Sequence, residues 1–245
     1  MTTSNSPTPM HPVSIVSLGP GDPELITLKG LRRLREADRI YCPATSQPDG
    51  TLTSRAADIL RALDIAPAII RPFPVTMRDD RAAALADYSA AVRRIAAECA
   101  EGRRVAVTAE GDAGFYSSSG YISALLAERS IATEHIAGVP AFVACAASEG
   151  VVIAELTEET NILTTLSSAD ELLDRLAAGR SLVLMKPSRY ASAVKEALAQ
   201  APADVAFHYF EHTGADATRT YYTCRRDEIA TRRFPYFSLL IVRRE

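Results

Sequence analysis

Val13-Ser14-Ile15-Val16-Ser17-Leu18-Gly19-Pro20-Gly21-Asp22-Pro23-Glu24 decides the reading of this chain. Val13, Ile15, Val16 and Leu18 make the first half apolar enough for a buried strand, and the two glycines close it with a tight turn. Asp22 suits a helix N-cap and Pro23 the first helical position. Strand, glycine turn and helix together bring backbone N–H groups against a small ligand. A carboxylate in the turn repels phosphate, and no third glycine follows at dinucleotide spacing, so the turn points away from an ordinary dinucleotide site. On its own it serves equally well as a capped turn with no ligand.

Outward from this stretch, strands and helices alternate. Leu25, Leu28, Leu31 and Leu34 predict one apolar stripe on a helix running from Pro23 to Glu36. A short strand over 39–42 is expected to stop at Pro43, and 44–54, with its Thr, Ser, Pro and Gly, to form a loop long enough to wall a pocket. A helix over 54–63, a strand over 68–71 and a long alanine-rich helix opening at Asp79-Asp80 and ending at Gly102 follow. The strand around Val105 and Val107 runs into Glu110-Gly111-Asp112-Ala113-Gly114-Phe115-Tyr116. Beyond it, 117–129 reads as helix, 131–136 as strand, and Ala137-Gly138-Val139-Pro140-Ala141 as a turn opening another helix. Strands over 182–185, 205–210, 220–224 and 237–242 then come with few helices between them. The fold class expected is α/β, with a parallel α/β domain over 13–116, a mixed α+β domain over 117–245 and a disordered polar tail over 1–12.

The chain has 245 residues and a net charge of −3, so no general basic field draws it to nucleic acid or to a membrane surface. An anionic substrate must therefore be met by local arginines. No apolar run reaches membrane-spanning length, and the first residues lack an apolar signal core. Cys42, Cys99, Cys145 and Cys224 are far apart and lack metal spacing, which predicts reduced, buried thiols in a cytoplasmic protein. His208 and His212, four apart around Glu211, suit a polar strand end better than a metal site.

Glu110-Gly111-Asp112 lies just past the carboxyl end of a buried strand, where open α/β sheets place their ligands. The Gly138 turn lets a backbone come close to a flat ligand, or lets helices pack. Leu184-Met185-Lys186-Pro187 ends a strand with a thioether and a cation. No nucleophilic Ser or Cys with a partner base stands out.

In this order, the motifs resemble the tetrapyrrole (corrin and porphyrin) methylase family over almost the whole chain. Gly19-Pro20-Gly21-Asp22-Pro23-Glu24-Leu25-Ile26-Thr27-Leu28-Lys29 with Ala37-Asp38, the Glu110-Gly111-Asp112 loop into Phe115-Tyr116-Ser117, the Gly138-Val139 turn and the Met185-Lys186 strand end carry the resemblance. Pro43 with the following loop, Phe115-Tyr116-Ser117 and the ending Pro235-Tyr236-Phe237-Ser238-Leu239-Leu240 are most similar to the branch that methylates precorrin-2, or its anaerobic counterpart cobalt-factor II, at the carbon-20 meso position. The resemblance implies a two-domain, usually homodimeric protein with S-adenosylmethionine in a cleft between the domains. Carried over by motif, Pro20, Gly111, Asp112, Ala113, Tyr116, Pro140, Ala141, Met185, His208 and Pro235 would contact that cofactor. Asp112, Tyr116 and His208 are the candidates for moving the proton, and Arg39, Arg71 and Arg78 for binding the tetrapyrrole carboxylates. The chain departs from the family in Ala113, where proline is frequent, and in the turn around Gly138, where a hydroxyl residue is frequent. A sister methylase acting elsewhere on the ring or on uroporphyrinogen III, a nicotinamide oxidoreductase and a non-catalytic tetrapyrrole binder are the alternatives.

Overall fold

The computed structural model describes residues 11–76, 81–214 and 219–245. It divides into two compact units, 1–140 and 141–245.

In the first unit, β1 (Val13–Ser17) is buried along its whole length. It lies between β5 (Val105–Ala109) and β6 (Thr133–Ile136), parallel to both. β2 (Arg39–Ser46) follows on the far side of β5, and β4 (Ile70–Pro74) is parallel to β2. The strand order is thus β4-β2-β5-β1-β6, with β3 (Leu52–Thr53) folded back antiparallel on the end of β2. Alternation along β1 supplies both layers: Val13 and Ile15 face a core made with α3 (Arg81–Ala100) and α4 (Ser119–Ala127), Val16 and Leu18 a core made with α1 (Leu28–Glu36) and α2 (Arg55–Ala62).

The adjacent strands β1 and β5 therefore send their following helices to opposite faces of the sheet. That divergence is a topological switch point, the crevice where open α/β sheets bind ligands.

Several expectations shift. The turn capped by Asp22 is a single 3-10 turn, Pro23–Leu25, with the Glu24 N–H donating to Asp22 Oδ1 at 2.9 Å. The chain then extends, and α1 starts at a second cap, where Gly30 N–H donates to Thr27 Oγ1 at 3.1 Å. The leucine stripe breaks accordingly: Leu34 is fully buried, while Leu28 is 88% exposed. β2 continues through Pro43, because β5 pairs only with residues 39–41 and the missing proline N–H costs no ladder bond there. The loop expected at 44–54 is largely the β2–β3 hairpin.

The first unit also extends past Tyr116, since α4 and β6 return to its sheet; the division falls between Pro140 and Ala141. Of the tail expected over 1–12, residues 1–10 lie outside the described residues.

The second unit begins with α5 (Ala141–Ser148) and holds a mixed sheet, β10-β9-β11-β8-β7. The strands are β7 (Glu159–Leu163), β8 (Arg180–Met185), β9 (Val205–Glu211), β10 (Tyr221–Thr223) and β11 (Ser238–Arg244). Only β7 and β8 are parallel. Leu182, Leu184, Phe207, Tyr209, Leu240 and Val242 face α6 (Ala169–Ala177), α7 (Ala191–Gln200) and α8 (Arg226–Thr231). Val183, Phe210, Leu239 and Ile241 face α5 on the other side.

All four cysteines are free; Cys42, Cys99 and Cys145 are buried, but Cys224, just past β10, is exposed. No helix among the described residues is long and apolar enough to cross a membrane.

Candidate active site

The two acidic glycine turns meet at the switch point. Gly19 N–H donates to the Gly111 carbonyl at 3.1 Å and Gly111 N–H to the Gly19 carbonyl at 2.7 Å, an isolated antiparallel bridge joining the turns that leave β1 and β5. Both glycines hold a positive φ, 78° and 69°, that an L side chain resists. A Cβ at Gly111 would project into open space, with no atom within 4 Å.

The third turn is tied to the same knot. Asp112 Oδ2 accepts from Gly138 N–H at 2.6 Å, and its Oδ1 accepts from Gly114 N–H at 2.8 Å. Ser17 Oγ, at the end of β1, accepts from Ala113 N–H at 2.9 Å. Thr27 donates to the Ala137 carbonyl at 3.4 Å. Gly138 is obligatory here, since a Cβ on it would stand 2.4 Å from Ser17 Cβ and 2.9 Å from the Gly111 carbonyl oxygen. Asp112 is thus a clamp: both its oxygens hold backbone donors, and it joins the β5 turn to the β6 turn.

One further residue completes this edge, and the sequence did not point to it. Arg55, at the start of α2, donates to the Pro20 carbonyl at 3.1 Å and stands 3.9 Å from Glu110 Oε2. Burial raises the Glu110 carboxyl above its ordinary value, with Arg55 opposing that shift. A cation placed between two glycine turns leaves no local sequence signal, which is why the link was not legible. Pro20 is buried, whereas Phe115 and Tyr116 are 41% and 53% exposed on the β5 turn, with Tyr116 at φ 48°. Pro140 ends the unit.

The arginines expected at the substrate stand elsewhere. In a parallel sheet, a residue that opens a strand lies at the opposite edge from the turns that follow the strands. Arg39 opens β2, with its Nε 3.4 Å from Glu98 and its Nη1 donating to the Asp38 carbonyl at 2.7 Å. Arg71 is the second residue of β4 and donates to the Ala68 and Ile70 carbonyls. Neither shares an edge with the glycine turns. Arg78 lies outside the described residues.

In the second unit, Ala141 opens α5, and both Ala141 and Met185 pack on the core cluster of Phe142, Val183, Phe210 and Leu239. Met185 ends β8 opposite Leu239 of β11. Pro235, three residues before β11, accepts from Ser238 Oγ at 2.6 Å. His208 lies three residues inside β9 rather than at its end; its Nδ1 is 3.0 Å from the Tyr222 hydroxyl, and burial lowers its pKa. The end of β9 carries Glu211 instead, held by Arg232 at 2.5 Å and by the Tyr209 hydroxyl at 2.6 Å. Among the described residues no group of three His, Cys, Asp or Glu is arranged to hold a metal ion.

The family model for tetrapyrrole (corrin/porphyrin) methylases matches residues 12–230. The precorrin-2 C(20)-methyltransferase of Sinorhizobium sp is 32% identical over 234 residues, 93% of each chain. The cobalt-precorrin-2 C(20)-methyltransferase of Salmonella typhimurium is 28% identical over 233 residues, 94% of this chain and 95% of that one. Among solved structures, the uroporphyrin-III C-methyl transferase of Thermus thermophilus complexed with S-adenyl homocysteine superposes with a TM-score of 0.63 at 20% identity, covering 95% of this chain and 92% of that one.

Proposed function

Because the chain belongs to the tetrapyrrole (corrin/porphyrin) methylases, we propose that it transfers a methyl group from S-adenosylmethionine to carbon 20 of precorrin-2, in cobalamin biosynthesis. The observation that carries the reading of the site is the double hydrogen bond between Gly19 and Gly111 at the switch point. It turns two separate sequence motifs into one seat, with room at Gly111 for a ligand to lie against the backbone.

The residues present fit this donor. A glycine whose Cβ would enter open space admits a bulky adenosyl group, and a carboxylate-bearing edge suits a sulfonium better than a phosphate. In this reading Pro20, Gly111, Asp112, Ala113, Tyr116 and Pro140 of the first unit hold the cofactor. When bound, S-adenosylmethionine supplies a methyl group that is already electrophilic. The chain then has only to hold that methyl in line with an electron-rich ring carbon and to exclude water, which is worth roughly 7–11 kcal/mol. Glycines, backbone groups and clamped carboxylates are sufficient for this, and no nucleophile is needed.

Of the three groups considered for the departing proton, Asp112 is engaged by two backbone donors and His208 is bonded within its sheet. Tyr116 is exposed on the β5 turn, and the three stand together as the groups we propose for it. The relative named for cobalt-precorrin-2 supports a second reading in which the metal is already in the ring. Two copies of the chain are proposed to associate in the cytoplasm.

Incubation with methyl-labelled S-adenosylmethionine and precorrin-2, followed by NMR of the product, tests the reading. Label at carbon 20 is expected; label at another ring carbon shifts the position, and an unlabelled tetrapyrrole contradicts methyl transfer.

A further inference from the structure

Lys186 follows the last residue of β8 and adopts φ 56°, ψ 46°, the left-handed region that lysine resists. Nothing local demands a side chain there: the residue serves the following 3-10 turn through its carbonyl, which accepts from Arg189 N–H, and glycine would do the same without strain. Strain kept at one position, where the commonest relief is a single substitution away, marks a side chain retained for what its tip does.

That tip is unusual in its surroundings. The ammonium lies 5.9 Å from the centre of the Tyr236 ring. Among the described residues it has no carboxylate partner. Burial and the nearby Arg189 guanidinium lower its pKa, so an incoming anion would restore what desolvation removed. Its neighbours along the chain and across the sheet are Met185 and the Pro235-Tyr236-Phe237 segment before β11, where Tyr236 and Phe237 are 43% and 39% exposed. A cation with no carboxylate partner among the described residues, beside exposed aromatic rings, matches a flat conjugated ligand edged with carboxylates.

We propose that Lys186 binds a peripheral carboxylate of the tetrapyrrole while Tyr236 and Phe237 pack against its ring system. This rests on the methyl-transfer reading above. The test is a fluorescence titration of uroporphyrin III, a stable tetrapyrrole octacarboxylic acid, into the wild-type chain, Lys186→Gly and Lys186→Arg, beside steady-state kinetics with precorrin-2. Lys186→Gly is expected to weaken uroporphyrin III binding about tenfold to a hundredfold, the range of a lost hydrogen bond to a charged group. It should raise KM for precorrin-2 similarly and leave KM for S-adenosylmethionine unchanged. Its melting temperature should hold or rise, because the strain is relieved, which separates lost binding from lost folding. Lys186→Arg should recover most of the affinity. Equal uroporphyrin III affinity in wild type and Lys186→Gly, no binding by the wild type, or an effect confined to S-adenosylmethionine overturns the assignment. Binding that weakens as expected in a protein that fails to methylate precorrin-2 sustains Lys186 as an anion site and overturns only the reaction.

Discussion

A methyl group added at Gly138 would enter the Ser17 side chain and the Gly111 carbonyl at once, so Gly138→Ala can be accommodated only by parting the β6 turn from the other two. Overpacking of this kind costs about 1–3 kcal/mol, and urea denaturation should show it together with lost S-adenosylmethionine binding. Gly111→Ala provides the contrast: its Cβ meets nothing, and the cost is backbone strain at φ 69°, about 1–2 kcal/mol. Asp112→Asn removes the charge from the bonds to Gly114 and Gly138, each worth about 1.5–3 kcal/mol when charged. Calorimetry should find weaker S-adenosylmethionine binding, while the pH profile of kcat stays in place, as expected of a clamp; a profile displaced by the substitution would instead make Asp112 a proton carrier. The sequence displays the three turns and their glycines. It does not display that Asp112 reaches 26 residues along the chain to Gly138, because a long-range side-chain bond leaves no periodicity.

Among the elements, α1 and β6 are joined by Glu134, which lies 2.7 Å from Lys29 and 2.8 Å from Arg33. Hydrogen bonds from Arg33 and then Lys29 hold the Glu134 carboxyl at about 2, below its ordinary 4.5. A carboxyl depressed in the folded chain stabilises fully above its unfolded value and loses that contribution as the pH falls through the folded one. Glu134→Gln should therefore be less stable than wild type at neutral pH and converge with it between about pH 4.5 and 2, as measured by denaturant midpoints across that range. The pair is partly exposed, so salt should narrow the difference. Strands with a strong apolar pattern, such as β1, β5 and β8, were readable directly. β7 was not, because it is a partly exposed edge with few apolar residues. α6 was missed despite a signal that was present: Ser168 and Glu171 stand at capping-box spacing, and Ser168 Oγ accepts from Glu171 N–H at 3.1 Å. The α1 start was misjudged because the 3-10 turn and the helix have separate caps, Asp22 and Thr27, and leucines spaced for one helix span both.

Taken whole, the molecule was legible as two α/β units with a parallel and a mixed sheet, but its division at Pro140 was not, since a β-strand does not announce which sheet it joins. The substrate arginines show the same gap. Arg39 and Arg71 are near strand ends in the sequence, yet strand direction puts them on the edge away from the glycine turns, while Arg55, inside an ordinary helix start, reaches Pro20. Arg55→Ala should unlock the Pro20 turn and raise KM for S-adenosylmethionine with little change in the melting temperature. The claim on which the function depends is that the joined Gly19 and Gly111 turns seat the cofactor. A crystal structure of the chain with S-adenosylhomocysteine tests it most directly: the account predicts the ligand in van der Waals contact with Pro20 and Gly111, and a ligand bound away from both turns would contradict it.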